Sequence, residues 1–473
     1  MEKEKEETIA AIATPAGNGG IGIVRISGPS SHSIAKRIFR KKRFSSISPD
    51  EFSIVEPTEL RKRTLYFGHI VDPEEDRCVD EVLIVMMSAP HSYTCEDITE
   101  IQAHASAVGL KKILALVVKS GARLAEPGEF TKRAFLNGRI DLTQAEAVMD
   151  LITARNETSL RLAAQQLCGG LGDQIRCIID ELTKMLSIIE ASIDFSEEVE
   201  DVVDSNQSFD SFQKKIISPL KKLLQNYEEG HFLREGIRLV ILGRPNVGKS
   251  SLMNCLLEKE RVIVTAVPGT TRDTIEEQLN IRGLPILISD TAGIHDSMDS
   301  VETIGIQRAE KIAGEADLIL FMIDAGEGVT AEDAAVYEKI KEKAIILIIN
   351  KIDLENQTET TKVPSNWSLR TSVRMSVRFG KGIGKLKEKI YENSIGFNEV
   401  ESNGFIPNLR QKEMIEKSLS AAEIAEKGII KGTPPELTAI DLRIAIGVLN
   451  QIVGKDPQFD ILDDIFSRFC IGK

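Results

Sequence analysis

Long apolar runs are missing from this chain of 473 residues. No stretch of about 18 apolar residues occurs, and because a membrane-spanning helix needs that length, we expect no transmembrane segment. The N-terminal segment 1–7 is acidic and has no apolar core, which is unlike a secretory signal or an organelle transit peptide. These absences predict a cytoplasmic protein without membrane contact.

Cysteine is scarce and positive charge is in deficit. The six cysteines form no Cys-x-x-Cys pair and no zinc-type spacing, so reduced thiols are expected rather than a disulfide framework or a zinc module. A net charge of −13 argues against a broadly basic nucleic-acid-binding surface, so any RNA contact is expected to be local or shared with a partner. The length and the 42% hydrophobic content predict a globular protein of roughly two to four domains.

The segment Gly243–Ser250, Gly-Arg-Pro-Asn-Val-Gly-Lys-Ser, has the sequence of a phosphate-binding P-loop. Its backbone amides can surround phosphates, Lys249 can reach the β- and γ-phosphates, and the Ser250 hydroxyl can bind Mg²⁺. An apolar strand over 237–242 is predicted before the loop and a helix from about 251 after it. This strand–loop–helix context directs a helix N-terminus at an anion.

Four further motifs follow in the order that a GTP-binding domain requires. Gly269–Asp273 can supply Thr271 as a second Mg²⁺ ligand, and Asp290–Gly293 can hold Mg²⁺ through water and meet the γ-phosphate. Asn350–Asp353 ends in a carboxylate that can accept hydrogen bonds from guanine, which adenine cannot match. Ser376–Arg378 is the expected base-contacting loop, with valine where alanine is usual. The sequence therefore predicts a GTPase.

The predicted hydrolytic apparatus differs from that of many regulatory GTPases. Ile294 stands where those proteins have a water-positioning glutamine. The segment 261–271 is rich in carbonyl and hydroxyl groups and, together with Asn246, is a candidate site for a monovalent cation that would offset charge in the transition state. Glu302 is a candidate to orient water, and a favourable charge in the first turn of a helix is the alternative explanation.

Hydrophobic patterning predicts the organisation of the chain. Strands are expected at 8–13, 20–26 and 82–87 and a helix at 110–118, followed by helical patterning from 129 to about 227, with interruptions at Gly169-Gly170 and at the acidic stretch 194–204. Helical spacing returns after the GTPase domain, at Ile415, Leu419 and Ala422 and again at Leu442, Ala445, Leu449 and Ile452. We interpret this as one helical domain with the GTPase inserted; two separate helical domains are the alternative.

With these motifs, the chain resembles the MnmE (also called TrmE) family of tRNA-modification GTPases. The resemblance covers essentially the whole chain and is most specific at Ala10–Gly28, Pro127–Gly138, Asp141–Ala147, the GTPase motifs and the C-terminal pentapeptide Phe469–Lys473. It implies a multidomain fold of α/β and all-α parts: an N-terminal α/β tetrahydrofolate-binding and dimerisation domain over 1–127, a helical domain over 128–235 and 396–473, and an inserted Ras-like P-loop GTPase domain over 236–395.

The resemblance also implies an activity. Family members are K⁺-stimulated GTPases that, with the flavoprotein MnmG in a heterotetramer or larger complex, add an aminomethyl or carboxymethylaminomethyl group to C5 of the wobble uridine of certain tRNAs. A tetrahydrofolate derivative, 5-formyl or 5,10-methylene, supplies the one-carbon unit. The implied protein is a homodimer in which GTP hydrolysis drives association of the two G domains and a conformational change.

The motifs and the resemblance together predict four sets of site residues. The GTP set is Asn246, Val247, Gly248, Lys249, Ser250, Ser251, Thr265, Ala266, Val267, Pro268, Gly269, Thr270, Thr271, Asp290, Thr291, Ala292, Gly293, Asn350, Lys351, Asp353, Ser376, Val377 and Arg378. The metal set is Ser250 and Thr271 for Mg²⁺, and Asn246, Thr265, Val267 and Thr270 for K⁺. The folate set is Arg25, Glu100, Arg139 and Lys473, and the catalytic set is Arg272, Asp273, Glu302 and Cys470.

The chemistry of the folate set suits the ligand, because an arginine can hold a carboxylate bidentately and Glu100 can accept from pterin N–H groups. The chain departs from the family pattern near this site. Arginine replaces the common lysine at Arg139, and Cys95, Ala105 and Ser106 stand where the family has glycine. Loss of glycine removes backbone freedom that a close ligand can require.

Several segments have two explanations. A Cys470 thiolate could attack C6 of uridine and so activate C5, or Cys470 could be a small buried residue. The basic run 36–43 could contact RNA or be a solvated loop, and the acidic stretch after Asp194 is most simply a solvated connection. Asp141, Gln144 and the pair Lys132-Arg133 are expected to serve packing.

A second class of function is also open at this stage. The chain could be a regulatory switch or assembly factor that binds RNA or the ribosome without covalent chemistry, or a structural protein that uses its P-loop only for stability. A basic RNA-binding module often follows the G domain in such switches, whereas the segment after 400 is helical and rich in acidic residues. Folate binding separates the two classes, because a switch has no need of it.

Overall fold

A computed structural model of the chain describes two compact units, one of residues Met1–Met149, Gly172–Arg176 and Leu449–Lys473 and one of residues Asp150–Leu171 and Cys177–Val448. Within them, the residues that the structure describes are 7–15, 17, 19–41, 61–154, 156–194, 210–260, 276–282, 284–289, 314, 316–354, 363–365, 367, 369, 371–394, 404–455 and 459–473.

A mixed sheet forms the centre of the first unit. Its strands are β1 Ile9–Ile12, β2 Gly19–Ser27, β3 Phe39–Lys41, β4 Tyr66–Asp72, β5 Arg77–Met87, β6 Ile98–Ala105 and β7 Arg123–Leu124, in the order β3-β4-β5-β6-β2-β1-β7. All described neighbours are antiparallel except β1 and β7. The central strands contribute alternating buried residues such as Val24, Ile26 and Ile101. This alternation places one apolar face of the sheet on a core.

Five helices of the described chain pack in this unit, and the first two of them cover that apolar face. The five are α1 Ser31–Ile38, α2 Ala107–Lys119, α3 Glu129–Leu136, α4 Leu142–Thr153 and, near the C-terminus, α13 Phe459–Ser467. The buried residues Ile113 and Leu116 of α2 join the sheet core, whereas Phe135 of α3 and Phe466 of α13 belong to a second cluster. The fold therefore brings the C-terminal helix to α3, which is more than 300 residues earlier in the chain.

The second unit contains helices from both sides of the GTPase segment. The helices between α4 and α13 are α5 Glu157–Leu167, α6 Gly170–Asp194, α7 Ser218–Glu235, α8 Lys249–Glu260, α9 Ala331–Ile340, α10 Ile383–Ser394, α11 Leu409–Lys431 and α12 Pro435–Val453. A π-helical turn, Gln213–Ile217, precedes α7. Gln213 donates to the buried Glu426 of α11 at 2.5 Å, and Lys221 of α7 pairs with Glu423 at 2.8 Å. This packing is the one expected if a single helical domain is interrupted by the GTPase segment.

A second sheet lies within the GTPase segment. Its strands are β8 Ile237–Gly243, β9 Glu276–Ile281, β10 Leu284–Ser289, β11 Leu318–Asp324, β12 Ile345–Asn350 and β13 Thr371–Arg374, in the order β13-β12-β11-β8-β10-β9. All pairs are parallel except β9–β10. The central strand β11 is buried along its whole length. Near-continuous apolar strands are typical of a parallel sheet that is covered on both faces.

The predicted strands and helices are confirmed where the structure describes them, with differences at their ends. β5 begins at Arg77 rather than at 82, because its polar first residues pair with β4 in a hairpin that extends beyond the apolar part. Gly169 lies between α5 and α6, as the glycine pair predicted. Helix α6 continues to Asp194, and the rest of the acidic stretch lies outside the described residues. Within the described ranges, none of the helices combines the length and the apolar character needed to span a membrane.

Candidate functional site

The loop Gly243–Ser250 connects β8 to α8 at the carboxyl edge of the parallel sheet. Three of its residues have positive φ: Gly243 at 148°, Asn246 at 64° and Gly248 at 106°. A Cβ on Gly248 would lie 2.5 Å from the side-chain nitrogen of Asn350, so the closed turn requires glycine there. A compact glycine turn that leads into a helix N-terminus is the anion-binding arrangement that the motif predicted.

Lys249 is a half-buried cation inside this loop. Its Nζ donates to the carbonyl oxygens of Gly243 at 2.8 Å and Arg244 at 2.7 Å. No carboxylate pairs with it among the described residues. Burial lowers the pKa of Lys249 from its usual value, because the charged form is partly removed from water. A half-buried ammonium group that has no paired carboxylate among the described residues is well suited to bind a phosphate group.

The guanine motif lies against the P-loop. The side chain of Asn350, which is 3% exposed, donates to the carbonyl oxygen of Val247 at 2.8 Å and accepts from the backbone N–H of Val377 at 3.1 Å. Ser376 donates to Asp353 at 2.5 Å. The structure therefore brings together the phosphate loop, the Asn350–Asp353 motif and the base-contacting loop. The last residue of that loop, Arg378, instead lies over the ring of Phe379.

Three ion pairs at this edge of the sheet were not predicted from the sequence. Arg244 of the P-loop pairs with Glu327 at 2.8 Å and with the fully buried Asp333 at 3.1 Å. Lys351 of the guanine motif pairs at 2.7 Å with Asp324, the last residue of β11. The sequence signal for Asp324 is a single acidic residue at the end of an apolar strand, and that signal does not reveal its partner.

A large part of the predicted phosphate and cation site lies outside the described residues. This applies to Thr265, Ala266, Val267, Pro268, Gly269, Thr270, Thr271, Arg272, Asp273, Asp290, Thr291, Ala292, Gly293 and Glu302. Their roles remain predictions from the sequence. Ser250 and Ser251 are described, and both are exposed in the first turn of α8.

In the first unit, two of the predicted folate residues, Arg25 and Arg139, lie over one aromatic ring. Arg25 of β2 is the cross-strand neighbour of Glu100 on β6, and the two form an ion pair at 2.9 Å. The guanidinium carbons of Arg25 and Arg139 lie 5.4 and 4.5 Å from the centre of the Tyr93 ring. Sequence reasoning missed Tyr93, which it treated only as part of the Ser92–Asp97 segment. Cations over an aromatic face are held by electrostatic attraction to the ring.

The C-terminal residues complete this cluster. The carbonyl oxygen of Gly472 accepts from Arg25 Nη1 at 3.3 Å, and the carbonyl oxygen of Lys473 accepts from the backbone N–H of Phe130 at 3.1 Å. Ile471 forms an antiparallel bridge with Pro127. Cys470, which is half-buried, lies in the same segment. We call residues 470–473 the C-terminal tail. Its position brings all four predicted folate residues into one region.

The departures from the family pattern have different structural consequences. Cys95 has φ of 59°, a left-handed conformation that costs a residue with a side chain roughly 1–2 kcal/mol. Ala105 instead lies in the extended strand β6 opposite Gly19, and Ser106 caps α2 by accepting from the N–H of Gly109 at 3.3 Å. Only Cys95 therefore occupies a backbone position that favours glycine.

We call Tyr93 with Arg25, Glu100 and Arg139 the Tyr93 cluster. Ion pairs hold α3 beside it. Glu129 receives two hydrogen bonds from Arg123, at 2.8 and 2.7 Å, and one from Arg133 at 2.9 Å. Arg133 also pairs with Glu96 at 3.0 Å, and Glu96 accepts from Ser27 at 2.7 Å. Burial alone would raise the pKa of Glu129, but the hydrogen bonds from Arg123, the backbone and Arg133 outweigh it and lower that pKa.

The other motif residues that were expected to serve packing make structural contacts. Asp141 accepts from the backbone N–H of Gln144 at 2.9 Å and pairs with Arg176 at 2.8 Å. Lys132 pairs with Asp463 of α13 at 2.9 Å. These contacts agree with the packing interpretation and reveal no chemistry.

The basic run is described only as far as Lys41. Arg37 donates to the carbonyl oxygen of Ser120, at the end of α2, at 3.1 Å. Arg40 donates to the carbonyl oxygens of Arg37 and Phe39, at the end of α1, at 3.0 and 3.1 Å. A cation at a helix C-terminus is favourable because the last carbonyl groups carry partial negative charge. These contacts account for two of the basic side chains without RNA.

Two family models match this chain. The family model described as "GTP-binding protein TrmE N-terminus" matches residues 8–139, and the model described as "MnmE helical domain" matches residues 142–470. The G domain of the T. maritima FeoB iron transporter is 25% identical and covers 33% of this chain and 98% of that chain, with a TM-score of 0.26, which is too low to support any conclusion.

The similarity to curated relatives extends over the whole chain. A tRNA modification GTPase MnmE of Carboxydothermus hydrogenoformans is 44% identical over 470 residues, which are 99% of this chain and 100% of that protein. Another, of Acetivibrio thermocellus, is 43% identical with the same coverage. With P-loop and guanine motifs that meet at one sheet edge, and with relatives of this identity from end to end, the chain belongs to the MnmE (TrmE) family.

Proposed function

We propose that this chain is a tRNA-modification GTPase that acts at C5 of the wobble uridine. Membership of the family makes it a GTP hydrolase. The proposal depends on the presence of two different sites in one chain. The second unit contains the P-loop and the guanine motif, and the first unit contains a cluster of arginine, glutamate and aromatic side chains. A simple GTP-dependent switch has no use for the second cluster.

In this proposal Lys249 holds the β- and γ-phosphates, and Asp353 reads guanine with the help of the loop at Ser376. Mg²⁺ is held by Ser250 and Thr271. The fit to GTP is supported by the lone ammonium group of Lys249 and by the amide of Asn350, which ties the P-loop to the base-reading loop. Of the two proposed Mg²⁺ ligands, Ser250 lies within the described residues. It is exposed at the start of α8, where a metal ion can reach it.

A monovalent cation is proposed to stimulate hydrolysis, with Asn246, Thr265, Val267 and Thr270 as its ligands. Asn246 has φ of 64°, which glycine tolerates fully. Replacing it with glycine therefore removes the carboxamide without disturbing the turn. We expect Asn246→Gly to hydrolyse GTP at the same rate in K⁺ and Na⁺ buffers, whereas the unaltered chain is faster in K⁺. An undiminished preference for K⁺ in the variant would reject this cation assignment.

The Tyr93 cluster is proposed to bind a tetrahydrofolate derivative, which supplies the one-carbon unit when bound. Arg25 and Arg139 provide the charge for a carboxylate tail, and Glu100 accepts from pterin N–H groups. The exposed fractions of Arg25 and Glu100, 15% and 18%, are those of a recessed site. Lys473 is proposed as a further cation for this ligand, and its main chain is held in the same region by Phe130.

The C-terminal tail is expected to be necessary for folate binding. Gly472 has φ of 96°, and a Cβ there would lie 2.5 Å from the carbonyl oxygen of Ile12. Gly472→Ala should therefore displace the tail and weaken binding of 5-formyltetrahydrofolate at least about tenfold by calorimetry, the size of one lost charge-assisted contact. Gly121→Ala is the matched control, because Gly121 also has positive φ, 115°, but has open space around it. Equal losses in both variants would contradict a specific role for the tail.

The partners proposed for this chain are a second copy of itself, the flavoprotein MnmG and tRNA, in the cytoplasm. The support is the family relationship and, for a reducing compartment, the six free cysteines of the structure. The domain limits 1–127, 128–235, 236–395 and 396–473 are proposed on the same basis.

The test of the proposed function is the nucleoside composition of tRNA from cells that lack this chain. We expect C5-modified wobble uridine to be lost and to be restored by the unaltered chain. Restoration that fails with Cys470→Ser, while the variant accumulates normally, would support a chemical role for the thiol. Unchanged modification in a strain without a second copy of the gene would reject the proposal and favour the assembly-switch alternative.

A further inference from the structure

Asp324 lies between two nucleotide-binding loops, and none of the predicted roles includes it. It is the last residue of β11, between the P-loop that follows β8 and the guanine motif that follows β12. It is 5% exposed, and a buried carboxylate needs partners to remain charged. The partners of the carboxylate identify the residue that its charge holds in place.

Both oxygens of the carboxylate are occupied. Oδ1 accepts from the backbone N–H of Gly326 at 2.8 Å, and Oδ2 pairs with Lys351 Nζ at 2.7 Å. Burial alone would raise the pKa of Asp324, but the hydrogen bonds from Lys351 and Gly326 outweigh that effect and lower it. Asp324 is therefore charged at neutral pH, and its charge is directed at Lys351.

Lys351 holds an unfavourable backbone conformation within the guanine motif. Its φ is 62°, a left-handed value that a residue with a side chain rarely adopts. The preceding residue, Asn350, is fixed by its hydrogen bonds to Val247 and Val377. The chain must turn at Lys351 to place Asp353 beside Ser376, so the conformation of this one residue sets the position of the base-reading carboxylate.

We propose that Asp324 is a positioning residue for guanine recognition, which acts by holding Lys351 in its left-handed conformation. This inference rests on the proposed GTP-binding function and deepens it. Asp324 does not touch the base; it fixes the loop that presents Asp353. Without Asp324, the contribution of the guanine base to nucleotide affinity falls, whereas the contribution of the phosphates stays unchanged.

The test measures binding of fluorescent mant-GDP and its displacement by GDP and by ADP, with Asp324→Asn, which keeps the shape of the side chain. We expect GDP to bind about tenfold more weakly, about 1.4 kcal/mol, and ADP to bind as before, so the preference for GDP over ADP falls by the same factor. A purely structural role would lower both affinities alike. Asp317→Asn is the matched control, because Asp317 immediately precedes the same strand, is exposed and accepts a backbone hydrogen bond from Arg238, its single hydrogen-bond donor within the described ranges.

A second variant guards against a folding defect. Lys351→Met removes the partner, so it should lower the GDP preference by a similar factor, and adding Asp324→Asn to it should cause little further loss. Normal GDP affinity in Asp324→Asn, equal losses of GDP and ADP, or fully additive effects of the two substitutions would each overturn the inference. Failure of the unaltered chain to bind mant-GDP would instead reject the proposed function itself, and the inference with it.

Discussion

Replacing Lys249 with methionine is expected to reduce nucleotide affinity by about a hundredfold or more, the effect of removing one partner from a buried charged contact. Among the described residues this ammonium group donates to the carbonyl oxygens of Gly243 and Arg244, and burial lowers its pKa. Methionine keeps most of the apolar stem and removes a desolvated charge. The stability of the free G domain should therefore be unchanged or higher while GTP binding is lost.

The measurement is mant-GDP titration, with thermal unfolding followed through Trp367. That residue is the single tryptophan of the chain and is 8% exposed in the G domain core. Lys341→Met is the matched control, because Lys341 is exposed on the same domain and its pairing within the described part of the chain is with Glu338, at 2.8 Å. If Lys249→Met retains nucleotide affinity, the phosphate role of this lysine is wrong.

Replacing Arg133 with methionine is expected to destabilise the first unit by up to about 3–5 kcal/mol, since it removes the arginine that pairs with Glu96 and one of the two arginines that pair with the buried Glu129. Arg133 is 6% exposed and bonds to both Glu129 and Glu96. Methionine fills similar space, so the loss arises from unpaired charge rather than from a cavity. Because the tail carbonyl of Lys473 is held by Phe130 of the same helix, folate binding should fall as well.

Hydrogen exchange of the α3 amides is the appropriate readout, because Trp367 reports on the other unit. Arg176→Met is the control: its ion pair with Asp141 is 2.8 Å long, but the arginine side chain is 39% exposed, and such pairs contribute about 1 kcal/mol or less. Protection of α3 that is equal in the two variants would contradict the buried-pair argument.

The same network predicts a dependence of this region on pH. The pKa of Glu129 is lowered in the folded state, so its contribution to stability is complete above the ordinary carboxyl value, 4.5, and is lost as pH falls towards the folded-state pKa. Exchange of the α3 amides should therefore accelerate below that value more than exchange in the G domain, after correction for intrinsic rates.

Much of the nucleotide site could be predicted because its chemistry is local in sequence. Eight consecutive residues form the P-loop, and its flanking strand and helix follow from apolar patterning. The folate cluster is different, because Arg25, Glu100 and the tail are far apart in the chain. Only the resemblance to a family named these residues, and spacing alone would not have joined them. Tyr93 was missed because its role depends on two arginines that tertiary folding places against its ring.

The sequence alone determined the enzyme class and the order of the α/β and helical segments, because these depend on short motifs and local periodicity. The tertiary structure decided which charges meet. It placed Asp324 against Lys351, Arg133 between two carboxylates, and Gly472 against Arg25. Pairing between distant residues depends on strand order and helix packing, and no local pattern encodes those distances.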